Sequence, residues 1–302
     1  MGQPGWYMHD VIQGENVKFT KTHKAAFAIA TTAALLAACG GTATDAASTS
    51  ASPTADCSPA SLQTLTAGKL TIATGQPAYS PWVEDDKPES GNGFESAVAY
   101  AVASQLGYSA ADVTWVRTTF DGAITPGPKT FDFNLQQYTI TEDRKKAVDF
   151  SSPYYTTPQT VVTAKGSKID GKTTIADLKD AKLGAGVGTT AVDIITNQIG
   201  ATPQVFNDNA AAVAALKNGQ IDGIVVDLPT AFYLTAVEIE NGVIVGQLPS
   251  NGSGDNFGLL LAKDSPITAC VSQAVDALTA DGTLANLADT WLGATAGAPV
   301  LN

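Results

Sequence analysis

The chain has 302 residues, enough for two domain-sized cores or one large one. Its 29 acidic against 17 basic side chains give a net charge of −12, which excludes the basic surface that nucleic-acid binding needs to displace counterions from phosphate. Both histidines, His9 and His23, stand near the N-terminus, so the rest of the chain lacks the commonest general base.

Lys18, Lys21 and Lys24 precede an apolar run from Ala25 to Leu36, which meets Leu-Ala-Ala-Cys at 36–39. A basic region, a short apolar core and small residues at a cut site predict an export signal over residues 1–38. The apolar run is too short to span a bilayer comfortably. Residues 1–16 fit no part of such a signal, which places the expected translation start near Val17. The Leu-Ala-Ala-Cys end resembles a bacterial lipoprotein signal, whose cleavage leaves Cys39 as the lipidated first residue. The alternative is a plain secretory signal with a fortuitous cysteine. Residues 39–56 are rich in Ser, Thr and Ala with no large apolar side chain, and predict a flexible tether. The folded part is therefore expected at the extracellular face of the cell membrane, held by lipid on Cys39.

Cys57 and Cys270 lie near the two ends of the folded region. Export places them in an oxidising compartment, where a disulfide between them is expected and two buried free thiols are the alternative. Neither has a neighbouring His or a short Cys spacing, so no metal site is expected.

From Lys69 the elements follow in order. Lys69–Thr74 alternates as a strand and ends in the turn-rich Gly75–Trp82. Phe94, Val98, Val102 and Leu106 recur at four-residue steps and predict a helix that Gly107 ends. Val113–Phe120 and Phe131–Ile140 read as second and third strands. Gln159–Ser167 is strand-like, Ala181–Gly200 reads as strand, turn and helix, and Asn209–Gly219 as a helix. Ile221–Asp227 is a short buried strand, the stretch around residue 260 a late apolar strand, and the chain closes in two helices. The strands near 161 and 259 bracket one α/β unit inside another. This order predicts two α/β lobes joined by two hinge strands, with lobe 1 formed by residues 57–162 and 259–302 and lobe 2 by residues 163–258.

Several side chains stand where a cleft ligand would meet them. Arg144 lies in the first turn of a helix that Thr141 can cap, and its planar fork matches a carboxylate; the alternative is a solvated charge in Arg144-Lys145-Lys146. Gly184–Thr190 joins a strand to a helix without a nucleotide-binding spacing, and Thr189 or Thr190 can cap the helix or donate to a carboxylate. Asp227 ends an apolar strand, where ligands of open α/β sheets gather, yet it is also a good helix cap. Tyr79, Trp82 and Phe120 follow strands and can wall a cleft or pack in the core. No Ser-His-Asp or Cys-His set can be assembled.

Together these segments resemble the solute-binding proteins of ABC importers for polar amino acids, the family 3 extracellular solute-binding proteins. The resemblance runs over nearly all of residues 65–295 and is most specific in Phe131–Tyr155, which carries a Thr-x-x-Arg and an Asp-Phe-Ser-x-Pro-Tyr pattern. It implies the type II periplasmic-binding-protein-like fold and a monomeric, cofactor-free binding protein, not an enzyme, that delivers an amino acid to a permease. By the same resemblance Arg144, helped by Thr139 and Thr190, holds the α-carboxylate, Asp227 the α-ammonium, and Tyr79 and Phe120 sandwich the side chain. Glu95 stands where the family usually has Asp and is expected to be structural. Gln136, Gln137 and Tyr138 replace smaller residues and are expected to reshape the pocket, with Gln137 in the ligand site. Gln76 in the early turn, with no acid there, points to a neutral or acidic polar ligand. The competing readings are a dehydratase-like enzyme using cleft acids such as Glu84, Asp85 or Asp86, and a ligand-sensing subunit of a signalling receptor.

Overall fold

Two five-stranded sheets organise the computed structural model, which describes residues 56–250, 254–293 and 298–302. The expected signal at 1–38, its start near Val17, the lipidation site Cys39 and the tether up to residue 55 lie outside the described residues.

The strands are β1 Leu70–Gly75, β2 Val113–Thr118, β3 Phe133–Asn134, β4 Val148–Thr157, β5 Gln159–Ala164, β6 Leu183–Gly186, β7 Pro203–Phe206, β8 Gly223–Asp227, β9 Gly242–Gln247 and β10 Asp255–Ala262. The helices are α1 Phe94–Gln105, α2 Phe120–Ile124, α3 Glu142–Lys145, α4 Thr190–Ile194, α5 Asn209–Lys217, α6 Leu228–Tyr233, α7 Thr268–Ala280 and α8 Thr283–Leu292. The first sheet runs β2-β1-β3-β10-β4 and the second β7-β6-β8-β5-β9. In each, the early strands pair in parallel, whereas the strand arriving from the other lobe pairs antiparallel: β10 with β3 and β4, β5 with β8 and β9. The nested two-lobed architecture expected from strand order is therefore present.

The lobes divide a few residues away from the expected positions. All of β5 from Gln159 belongs to the second sheet, and all of β10 from Asp255 belongs to the first. The chain also ends on the second lobe, where Val300 bridges Gln247 and the Leu301 N–H donates to the Gln247 carbonyl at 2.9 Å. Residues 298–302 thus do not extend lobe 1.

Both sheets are covered on both faces, which explains their short continuous apolar runs. In β8, Val225 packs to one face with Leu183 and Ile195, while Ile224 and Val226 pack to the other with Val213 and Leu216. In β10, Leu259 and Leu261 join α1 and α7, whereas Leu260 joins Ala73 and Val148 behind the sheet.

One strand is shorter than its sequence reading, and a second has none. The third strand shrinks to Phe133–Asn134, because Gln137 turns the chain with φ 52° and donates its N–H to Glu95 at 2.7 Å. Conversely, β4 is ten residues long although Pro153 interrupts its pattern. Proline has no N–H for the ladder, and the pairing register with β10 shifts on either side of the Pro153–Gly258 pair.

Cys57 and Cys270 form a disulfide, with Cα atoms 5.4 Å apart and 213 positions between them in sequence. The bridge fastens the start of the folded region to α7, within lobe 1. Closing so long a loop restricts the unfolded chain, an effect of about 2–5 kcal/mol. Urea denaturation of the C57S/C270S double variant is therefore expected to show stability lower by about that amount; unchanged stability would mean that the bridge does not constrain the unfolded chain.

Candidate functional site

Between the lobes lies a cavity of about 190 Å³ whose wall includes Tyr79, Trp82, Glu95, Phe120, Arg144, Thr190 and Asp227. Both lobes contribute, β1, α1, α2 and α3 from the first and β6, α4 and β8 from the second.

Arg144 is placed by local helix chemistry. Thr141 caps α3, accepting the Arg144 N–H at 3.1 Å, and Glu142 and Asp143 fill the first turn where the helix dipole favours acids. The guanidinium then leaves the helix towards the cleft. Nη1 donates to the Thr139 carbonyl at 2.7 Å in its own lobe, and Nη2 to the Gly188 carbonyl at 2.8 Å across the cleft. Its central carbon lies 5.3 Å above the Phe120 ring, and Phe120 stacks 4.6 Å from Tyr138. Burial lowers the guanidinium pKa from its ordinary value, with nearby Asp255 and Asp193 opposing that shift. Lys145 and Lys146, by contrast, pair with Glu142 and Asp143 on the exposed side of the same turn. Of an arginine's five N–H donors, the two carbonyls take two and leave the others for an anion.

The hydroxyls of Thr139 and Thr190 approach to 3.5 Å across the cleft. Thr190 donates to Asp255 Oδ2 at 3.2 Å, and the same oxygen accepts from Gln159 Nε2 at 2.6 Å. Thr190 thus stands in the cavity wall bonded to Asp255. Thr139 is buried behind the wall that Thr190 helps to form. Thr189 occupies the cap position of α4, but its hydroxyl turns back to the Gly186 carbonyl at 2.8 Å.

Asp227 fulfils both readings of its position. It caps α6, accepting the Thr230 N–H at 2.9 Å and the Thr230 hydroxyl at 2.8 Å, with Pro229 in the first turn. It is also buried in the cavity wall, and burial pushes its carboxyl up to about 6. Trp82 of lobe 1 donates its indole N–H to Thr230 Oγ1 at 2.9 Å, a buried bond that joins the lobes through the residue holding Asp227.

The sequence reading missed the place of Glu95. This buried carboxylate lies in the cavity wall and accepts from the Gln137 N–H at 2.7 Å, from Gln137 Nε2 and from the Tyr154 hydroxyl. Burial, reinforced by the charge of Asp227 and opposed by these bonds, pushes it up to about 7. The Gln137 amide thus lines the cavity already engaged with Glu95. Tyr138 is fully buried under Phe120, bonded to Gln136 Oε1 at 2.9 Å, and does not reach the wall, contrary to its expected part in shaping the pocket. Glu84, Asp85 and Asp86 are also absent from the wall; Asp86 pairs with Arg117 at 2.6 Å and accepts the Ala78 N–H. Asn207, Asp208 and Asn209 do line the cavity. The sequence reading assigns them no role; Asp208 caps α5, accepting the Ala211 N–H at 2.8 Å.

A half-buried guanidinium from the first lobe and a buried carboxylate from the second thus line one interlobe cavity. The pattern of bacterial extracellular solute-binding proteins, family 3, matches residues 70–294, and the chain belongs to that family. It is 30% identical over 205 residues to the L-cystine-binding protein of Escherichia coli (strain K12), covering 67% of this chain and 74% of that protein. An ancestral arginine-binding protein bound to glutamine superposes with a TM-score of 0.64 at 30% identity, covering 76% of this chain and 99% of that one. An ancestral amino acid-binding protein, a precursor of cyclohexadienyl dehydratase, gives a TM-score of 0.60 at 31% identity, covering 74% and 95%.

Glu95 and Asp227 hold protons in the folded protein that the unfolded chain releases at ordinary carboxylate pKa values. The folded state therefore binds more protons between about pH 4 and 7, and ligand-free stability is expected to fall as pH rises through that window. Urea titrations should show a fall of at most about 3 kcal/mol from Glu95, and a flatter profile in E95Q. A wild-type profile that rises with pH would contradict the raised carboxyls.

Proposed function

We propose that this protein binds a free α-amino acid between its lobes and delivers it to the permease of an ABC importer. The observation that carries this reading is the placement of Arg144, half-buried, and Asp227, buried, in the walls of one small cavity, each fixed by hydrogen bonds. In this reading Arg144 takes the α-carboxylate with its remaining donors. Thr139 and Thr190 support it, Thr139 by its carbonyl and Thr190 from the cavity wall. Asp227 takes the α-ammonium, and Tyr79 and Phe120 flank the side chain, with Gln137 behind them on Glu95. Charge-assisted hydrogen bonds contribute about 1.5–3 kcal/mol each, so a few of them, less the cost of ordering, reach micromolar affinity near −8 kcal/mol. The absence of an acid at Gln76 favours a neutral or acidic polar side chain.

In the same reading the protein works as a monomer at the extracellular face of the membrane, anchored through Cys39 by acyl chains at about 0.8 kcal/mol per buried methylene. A C39S chain that stays in the membrane fraction would remove the lipid anchor from it. The dehydratase-like alternative has less support, since Glu84, Asp85 and Asp86 do not line the cavity.

Thermal-shift screening against the amino acids is expected to find one that stabilises the protein, by about 2.7 kcal/mol at one hundred times its Kd. R144A and D227A should each abolish that response, and the corresponding decarboxylated amine should give none. Affinity should fall below about pH 6 as Asp227 takes up a proton. Equal binding of the amine would refute the role given to Arg144.

A further inference from the structure

Besides Arg144 and Asp227, the cavity wall carries Tyr79 from the first lobe and Asp208 from the second. The acids acting on Arg144 are Asp255 and Asp193, whereas those acting on the Tyr79 hydroxyl are Asp208, Asp86 and Glu238. Asp86 and Glu238 have their own cations, Arg117 at 2.6 Å and Lys217 at 3.6 Å. Asp208, in the second lobe, has no ion-pair partner among the described residues. One of its oxygens caps α5, and the other accepts no hydrogen bond among those residues. The Tyr79 hydroxyl is buried and makes no hydrogen bond, although the Ala210 N–H lies close by. Burial first, and then the charge of Asp208, push that hydroxyl up to about 12. Both residues line the cavity. The same wall therefore carries an orphaned buried hydroxyl and a half-used carboxylate without an ion-pair partner among the described residues, with Arg144 its cation.

We propose that the Asp208 carboxylate and the Tyr79 hydroxyl read the side chain of the bound amino acid and select one ending in an N–H donor group, a carboxamide or a cation. The inference rests on the amino-acid-binding reading above and moves its ligand class away from acidic side chains. An N–H donor satisfies both acceptors. A ligand carboxylate sets like charge against Asp208, and an apolar side chain leaves both groups desolvated and unpaired. Sites built to hydrogen-bond a substrate group reject analogues lacking it by large factors. The acid that the early turn lacks at Gln76 is in this way supplied from the opposite lobe.

Calorimetric titration of the full-length protein with L-glutamine, L-arginine, L-glutamate and L-leucine tests this. Glutamine or arginine should bind at least about tenfold tighter than glutamate or leucine, as expected for one charge-assisted hydrogen bond; either result supports the proposal, and the two arms tell carboxamide from cation. D208N keeps the helix cap, since Asn caps as well as Asp, and should cut the preference over glutamate by about tenfold. Y79F keeps the ring and should cut it about threefold. Glutamate or leucine binding as tightly as glutamine and arginine, or a ratio unchanged in D208N, overturns the inference while leaving Arg144-dependent amino-acid binding intact. If none of the amino acids binds, the reading it rests on fails with it.

Discussion

A guanidinium withdrawn from water needs acceptors and an aromatic face in place of its hydration shell, and the structure supplies both to Arg144. One acceptor is a carbonyl of its own lobe and the other a carbonyl of the opposite lobe. The second contact requires the backbone of the second lobe to come unusually close to α2. Gly188 allows this: its φ is 74°, and a Cβ there would lie 3.2 Å from Ile124 and 3.5 Å from Asp121. The glycine turn before α4 thus acts here as a fitted backbone surface against the first lobe, with no phosphate cradle involved.

The opposite wall follows the same rule with the charge reversed. Asp227 is buried at a strand end, where an unpaired carboxylate would cost several kcal/mol. A helix cap answers that cost with two hydrogen bonds from one residue, Thr230. Because Trp82 of the first lobe bonds the same Thr230 hydroxyl, the group expected to meet an ammonium is oriented by a contact that exists only when the lobes meet. The positions of Arg144 and Asp227 therefore both depend on the seam between the lobes.

Much of this was legible in the sequence because local rules and tertiary demands agree. Thr141 and the acids after it announce α3 and so the position of Arg144, and an acid at the end of an apolar strand announces Asp227. The missed features are those where a distant partner decides. Gln137 leaves the strand conformation because Glu95, forty-two residues earlier, holds its N–H and its amide. The strand β4 continues through Pro153 because its pairing with β10 shifts register at Gly258. Asp208 has no sequence reading beyond its place before a predicted helix, until the fold sets it in the cavity wall with Tyr79. In each case the sequence shows the residue but not what the fold brings against it.

The disulfide has a mechanical consequence. The described chain enters the fold at residues 56 and 57, and Cys57 is bonded at once to α7 of the first lobe. A pull on the upstream chain is therefore transmitted into the first lobe through a covalent cross-link, before it reaches β1. The crossings of the chain between the lobes, the first of them between β4 and β5, lie outside that load path. The cross-link thus makes the first lobe the one that takes up such a load, while the second lobe lies outside it.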